Sequence, residues 1–232
     1  MTGIVKQIDY NTAVDFLLPM HYSGRVPQIV VAFGWYIDGE LKAVCSFGKP
    51  ASRFPCISVC GEKFEDNVYE LNRLCRTEDL TLQLSQFVSC CLRLLKNKDW
   101  IIISYSDTGM NHHGYIYQAC NFIYTGTTRK CTDKYTGKKH NRHYKDYDSF
   151  GLRQVRTIKH RYVYFYTKNK KLLKEWKSNL NWKQEPYPKG DNSNYKLGDY
   201  YKPTVLDSSG NIVEIKEEVK KSEDIGIKNS LW

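Results

Sequence analysis

A mixed α+β fold is predicted by three observations. Apolar runs of strand length recur at 4–8, 29–37, 41–47, 68–75, 100–105 and 161–167, and helical patterns fall between them. Asp38-Gly39 joins two of those runs, which dictates an antiparallel hairpin. A long amphipathic pattern at 79–96 separates two others, which dictates a crossover between parallel strands. One sheet therefore carries both strand directions, flanked by helices.

The elements follow in order. After the strand at 4–8, Asn11-Thr12 can cap a helix through Phe16, Leu17 and Leu18 that Pro19 ends or kinks, leaving residues 21–24 as a loop. Beyond the hairpin, the Pro- and Cys-containing stretch 49–63 reads as a loop. The helix of 79–96 keeps Leu80, Leu84, Phe87, Val88, Cys91, Leu92 and Leu95 on one face. The strand at 100–105 runs into Ser104-Tyr105-Ser106-Asp107, and a turn leads to a helical segment near 115–122 and a strand-like piece at 122–124. A strand that ends in polar residues opposite a helix N-terminus is a usual place for a site, because unpaired amides gather there. After Lys168 the chain turns Lys-, Asn- and Tyr-rich with little periodicity, and residues 168–232 read as an accessory or partly disordered extension.

Composition narrows the partners. The formal charge is +10 with 18 tyrosines, which favours a polyanion, with nucleic acid ahead of membrane. Between residues 126 and 161 eleven Lys/Arg meet three Asp, a local balance of +8, with Tyr135, Tyr144 and Tyr147 interleaved. Arg129, Lys130, Lys138, Lys139, Arg142 and Lys145 are its candidate DNA-phosphate contacts, although a solvated basic insertion would read the same way. The eight cysteines show no disulfide framework, and no apolar run is long enough to span a membrane. The expected setting is a reducing cytoplasm. Oligomeric state is open, a homodimer included.

The order of several short motifs resembles the GNAT acyltransferase superfamily and, more narrowly, the Mom family of phage DNA-modification proteins. They are His21-Tyr22-Ser23, then Glu70-Leu71-Asn72-Arg73-Leu74, then Ser104-Tyr105-Ser106-Asp107. The residues Gly114 to Phe122, Tyr124-Thr125-Gly126, and Lys159 to Phe165 complete the set, which spans about 5–167. The resemblance implies a GNAT-like fold over 1–167 with a basic DNA-contacting segment at 126–161. It also implies an enzyme in the host bacterium that places a carbamoylmethyl group on the exocyclic amine of adenine in double-stranded DNA, protecting phage DNA from restriction. By the same resemblance His21, Tyr22, Ser23 and Asp107 are catalytic, with iron at His21 and Asp107. One departure stands out: 76–83, where GNAT enzymes carry a glycine-containing pyrophosphate loop, has no glycine and includes Glu78 and Asp79. Acetyl-CoA and an aminoacyl donor such as glycyl-tRNA therefore both remain open as donors.

The residues support their own chemistry. Adenine's amine is a weak nucleophile, so catalysis needs a nearby proton acceptor, an activated donor and stabilisation of charge on the donor. Asp107 can supply the first or merely cap a turn. His21 is a base, a metal ligand or a packing histidine, and Tyr22 a proton donor or a stacking surface for an extruded base. Arg73 and Arg76 can meet a donor phosphate, and Ser104, Tyr105, Tyr115, Tyr117 and Gln118 can line a donor or base pocket. The histidines at 112 and 113 suit capping or a phosphate contact. A GNAT acyltransferase acting on tRNA, protein or a small molecule, and a non-enzymatic DNA-binding protein, are the competing classes.

Overall fold

The computed structural model describes residues 3–78, 84–96, 98–135, 151–190 and 204–214. In chain order its elements are β1 (Ile4–Ile8), α1 (Tyr10–Met20), β2 (Val31–Ile37), β3 (Glu40–Gly48), α2 (Arg53–Cys60), β4 (Val68–Arg76), α3 (Leu84–Leu94) and β5 (Trp100–Asp107). Then come α4 (Tyr115–Ala119), β6 (Ile123–Thr127), β7 (Thr132–Lys134), β8 (Arg153–Val155), β9 (Lys159–Tyr166), α5 (Lys170–Ser178), β10 (Val205–Leu206) and β11 (Ile212–Val213). The expected mixed sheet is present, with strand order β1-β2-β3-β4-β5-β9-β6. Its β4–β5 pairing is parallel, made through α3, and the other pairings are antiparallel.

Local chemistry sets the element ends. Asp9 caps α1, not Asn11-Thr12: its carboxylate accepts the Thr12 N–H at 2.9 Å and the Thr12 hydroxyl at 2.6 Å. Pro19 sits inside the last turn, and the helix stops at Met20 with His21 extended. Asp38 and Gly39 both take positive φ, 51° and 84°, as a two-residue type I′ hairpin needs.

Each face of the sheet is covered. Phe87, Val88, Cys91 and Leu92 of α3 and Tyr117 of α4 pack on Phe33, Phe47, Leu71 and Ile102. On the other face α2 and α5 cover Val68, Ile101, Ile103 and Val163, while Ala13 and Leu17 of α1 cover Ala32, Val44 and Cys75. Trp100 to Ile103 alternate between the two cores and all are buried, as a central parallel strand demands.

One expectation is corrected, and the extension after Lys168 gains detail. The loop expected at 49–63 contains α2, which tolerates Pro55 because the first turn leaves its N–H unused, and a 3₁₀ turn at Glu62–Asn67 follows. Its signal was Cys56, Val59 and Cys60 at helical spacing, all buried. The stretch after Lys168 also begins as packed structure. Asn169 caps α5 by accepting the Lys171 and Leu172 N–H groups, Trp176 is fully buried, and Trp182 lies 3.9 Å from the Arg161 guanidinium. Further on, the Glu185 N–H reaches the Tyr124 carbonyl (3.0 Å), and the Tyr187 hydroxyl reaches that of Phe122 (2.8 Å), so this strip runs beside β6.

The chain divides into two units, one of Met1–Arg129 with Thr157–Tyr201, the other of Lys130–Arg156 with Lys202–Trp232. The second holds a four-stranded sheet in the order β11-β10-β8-β7, in which Arg156 pairs with Asp133 at 3.1 Å.

Removing the Trp176 indole should cost about 3–5 kcal/mol, the usual loss for a large core aromatic. Urea unfolding of Trp176→Ala against the native chain checks this, and a change below 1 kcal/mol would mean that α5 is not part of the core.

Candidate active site at the β4–β5 fork

The parallel ladder is short. Pairing runs from Val68 opposite Ile101 to Leu71 opposite Ser104 and goes no further. Beyond that rung β4 stays on β3 as far as Arg76, and β5 stays on β9 as far as Asp107. The two strands therefore part, and the main-chain groups of 72–76 and 105–107 that would have faced each other open into a cleft of about 620 Å³. Ser104, expected to line the pocket, instead holds the apex: it is fully buried and its hydroxyl donates to the Leu71 carbonyl at 2.9 Å.

The cleft gathers most of the expected residues. His21, Tyr22, Arg73, Arg76, Tyr105, Asp107, Tyr115 and Tyr117 all line it. Pro19 ends α1 so that His21 and Tyr22 reach the mouth. Gly114, in the left-handed region at φ 76°, starts α4 where a Cβ would lie 2.5 Å from the Tyr162 ring, and this sets Tyr115 and Tyr117. Gln118 is not among the lining residues. Its amide donates to the carbonyls of His113 and Pro188 and to the Tyr162 hydroxyl, tying α4 to β9 and the 188 strip. Nor does Ser23 line the cleft; its N–H (3.1 Å) and hydroxyl (2.8 Å) meet His21 Nδ1. Of the expected DNA contacts, Arg129 and Lys130 are described, whereas Lys138, Lys139, Arg142 and Lys145 lie outside the described residues.

The lining also brings in residues outside the expected set, among them Glu70, Ser106, His112 and Lys159. Lys159 enters because β9 begins two residues earlier than its apolar run suggests, which places it opposite Asp107. Glu70 had a signal, a lone carboxylate on a central strand between Tyr69 and Leu71.

The electrostatics separate the two carboxylates. Asp107 is buried and engaged on both oxygens: Oδ1 accepts the Gly109 N–H at 2.9 Å, capping the 3₁₀ turn, and Oδ2 faces Lys159 Nζ at 3.4 Å. Glu70 accepts no hydrogen bond from the described residues. Burial raises its pKa, and the charges of Arg73 and Lys159 pull it partly back. Burial likewise lowers His21 to about 3, helped by Arg73, Lys159 and His112, so the imidazole is neutral near pH 7. Tyr22 is pushed up to about 12, first by burial and then by the Asp107 charge, and stays a protonated phenol. Tyr105 and Tyr117 are also raised by burial. Two buried donors in this lining, Arg73 Nε and Ser106 Oγ, have no hydrogen-bond partner among the described residues.

The iron expected at His21 and Asp107 does not fit. Nδ1 of His21 and both Asp107 oxygens already have protein partners, and no group of three His, Cys, Asp or Glu among the described residues could hold a metal.

The Mom protein family matches residues 2–189. The chain belongs to that family. The match contains every lining residue of the fork and extends past 167 through α5 and the 180–189 strip, further than the short motifs reached. None of the curated proteins compared with the chain matches it. Among solved structures, a Bacillus subtilis acetyltransferase in complex with CoA is similar at 13% identity and TM-score 0.44, over 71% of this chain and 99% of its own. A GNAT family acetyltransferase from Elizabethkingia anophelis with acetyl-CoA bound is similar at 11% and 0.44, over 70% and 97%. A probable acetyltransferase from Staphylococcus epidermidis is similar at 10% and 0.45, over 72% and 100%. Likeness at this level has no bearing on chemistry.

His21 gives this Mom-family chain a pH signature. Between pH 6.5 and about 3 the unfolded imidazole binds a proton that the folded one does not, so acidification through that window destabilises the fold. Glu70 contributes with the opposite sign, its raised pKa losing stability as pH climbs through it. Urea unfolding from pH 7 to 4 should therefore show a shallower acid loss in His21→Gln than in the native chain. Equal slopes would mean that His21 titrates normally.

Proposed function

We propose that this chain is a transferase that modifies the exocyclic amine of adenine in DNA, adding a carbamoylmethyl-type group at the β4–β5 fork. The observation that carries this reading is Glu70: a mostly buried carboxyl with a raised pKa and no hydrogen-bond donor among the described residues, in the cleft lining with Arg73. The resemblance to phage DNA-modification proteins suggests the substrate class, and the geometry supports it in four respects.

The cleft volume suits a nucleobase with a small donor group and excludes a duplex, so the adenine must be extruded to react. Tyr22, Tyr105 and Tyr117, all kept as phenols, offer stacking faces and hydroxyl donors to its ring edge. The cleft between 72–76 and 105–107, where the parallel ladder has ended, suits an extended, amide-bearing donor arm of the acetyl-CoA or aminoacyl type. The Arg73 side chain, which lines the cleft, suits the oxygens of such a ligand.

In the reaction the N6 lone pair forms the new bond to the donor's carbonyl carbon, which with a glycyl ester gives an N6-glycyl group, an isomer of carbamoylmethyl. The bond from that carbon to its leaving group breaks, the leaving group takes the bonding pair, and the N6 proton passes to Glu70. Asp107 holds Lys159 at the cleft wall, and the pair offsets charge that develops there. The basic residues of 126–161 serve the duplex backbone, Arg129, Lys130, Lys134, Arg153 and Arg156 among the described ones.

Nucleoside mass spectrometry of plasmid DNA from cells expressing the chain tests the proposal. A new adenosine species is expected from the native protein, whose added mass, with fragmentation to separate the isomeric glycyl and carbamoylmethyl groups, identifies what was transferred. Glu70→Gln should lower it by about 10²–10⁴-fold while the protein stays folded. Unmodified DNA from folded native protein would instead favour an acyltransferase of tRNA, protein or a small molecule.

A further inference from the structure

We propose that His21 acts in the cleft as a fixed, neutral donor, offering the N–H of Nε2 to the carbonyl oxygen of the donor's transferable group. It is then neither the proton acceptor nor a metal ligand. This rests on the transfer reading of the fork.

The tautomer follows from the loop geometry. The Ser23 backbone N–H points at His21 Nδ1 at 3.1 Å, and the Ser23 hydroxyl meets the same nitrogen at 2.8 Å. A hydroxyl can reverse its role, but a backbone N–H only donates. A proton on Nδ1 would face that N–H directly, so Nδ1 holds the lone pair and Nε2 carries the hydrogen. Ser23 is thereby a positioning residue, acting through His21.

The ring cannot easily turn to exchange its nitrogens. It stacks on Tyr22 with centroids 4.4 Å apart and planes 27° from parallel. Its main chain is held by the bond from the His21 N–H to the Leu17 carbonyl, 2.9 Å, which closes α1. Nε2 has no hydrogen-bond partner among the described residues, and His21 lines the cleft.

The surroundings decide what such a group can do. Arg73, Lys159 and His112 share the lining and disfavour a second proton on the ring. An uncharged N–H beside two cations suits an oxygen on which negative charge accumulates, and a ring nitrogen already bearing hydrogen cannot take another. Proton acceptance is left to Glu70, across the same cleft. The work of base and donor is thus divided between β4 and the loop after α1.

Two measurements on the full chain test the assignment. In nitrogen-15 NMR of histidine-labelled protein, the His21 signal should show the proton on Nε2 and an unprotonated Nδ1. In the DNA-modification assay, His21→Gln, whose amide nitrogen can take the place of Nε2, should stay within about tenfold of the native protein, whereas His21→Ala should fall about 10²–10³-fold, the loss typical of one such donor. A proton on Nδ1, or a folded His21→Gln as inactive as His21→Ala, would overturn the proposal. If native protein leaves DNA unmodified, the transfer reading fails, and the NMR result alone decides the state of His21.

Discussion

The last rung of the parallel ladder, Leu71 opposite Ser104, is the constraint on which the site depends. Hydrogen bonding holds β4 and β5 together up to that pair, and each strand then follows its antiparallel neighbour. The Ser104 hydroxyl satisfies the Leu71 carbonyl at the point of separation, so the fork opens without an unpaired group at its apex. Past that point the parted strands leave a cleft whose edges are met in part from within the protein, the Asn72 carbonyl by Arg73 Nη1 at 2.7 Å and the Asp107 carbonyl by the His112 N–H at 3.1 Å. The buried cores on both faces of Trp100 to Ile103 keep the apex in place.

Burial then assigns the chemistry. Glu70 and Asp107 have the same functional group and line the same cleft, but among the described residues only Asp107 is matched by an N–H and an ammonium. Glu70 has charges nearby and no donor among the described residues, which is why the proton is assigned to it in the proposed reaction. His21 lies in the same desolvated space and stays neutral. Acceptor, neutral donor and paired charge are separated by their partners alone, within a single cleft.

Much of the fold was legible because periodicity and turn chemistry are local. The Asp38-Gly39 hairpin, the β4–α3–β5 crossover and the polar end of β5 all follow from spacing in the chain. Two helices were not. Pro55 and the cysteines concealed α2, since a proline in the first turn reads like a breaker, and the lysines of 170–178 concealed the stripe that buries Trp176. The site was partly legible for the same reason. His21, Tyr22 and Asp107 stand at element ends, where polar residues attract notice, while Lys159 reaches the cleft only through cross-strand pairing with Asp107. Ser104 and Gln118 looked like pocket residues but face into the structure, a distinction that one-dimensional spacing does not carry.

The central claim is that ligand occupies the fork, pairing with the strand edges past Leu71 and Ser104. Amide hydrogen exchange of the full chain, alone and with duplex DNA plus acetyl-CoA or glycyl-tRNA, tests it most directly. The account predicts that protection rises within 72–76 and 105–107 with at least one of the two donors. Adenine modification that proceeds while both segments exchange as in the free protein would place the chemistry elsewhere.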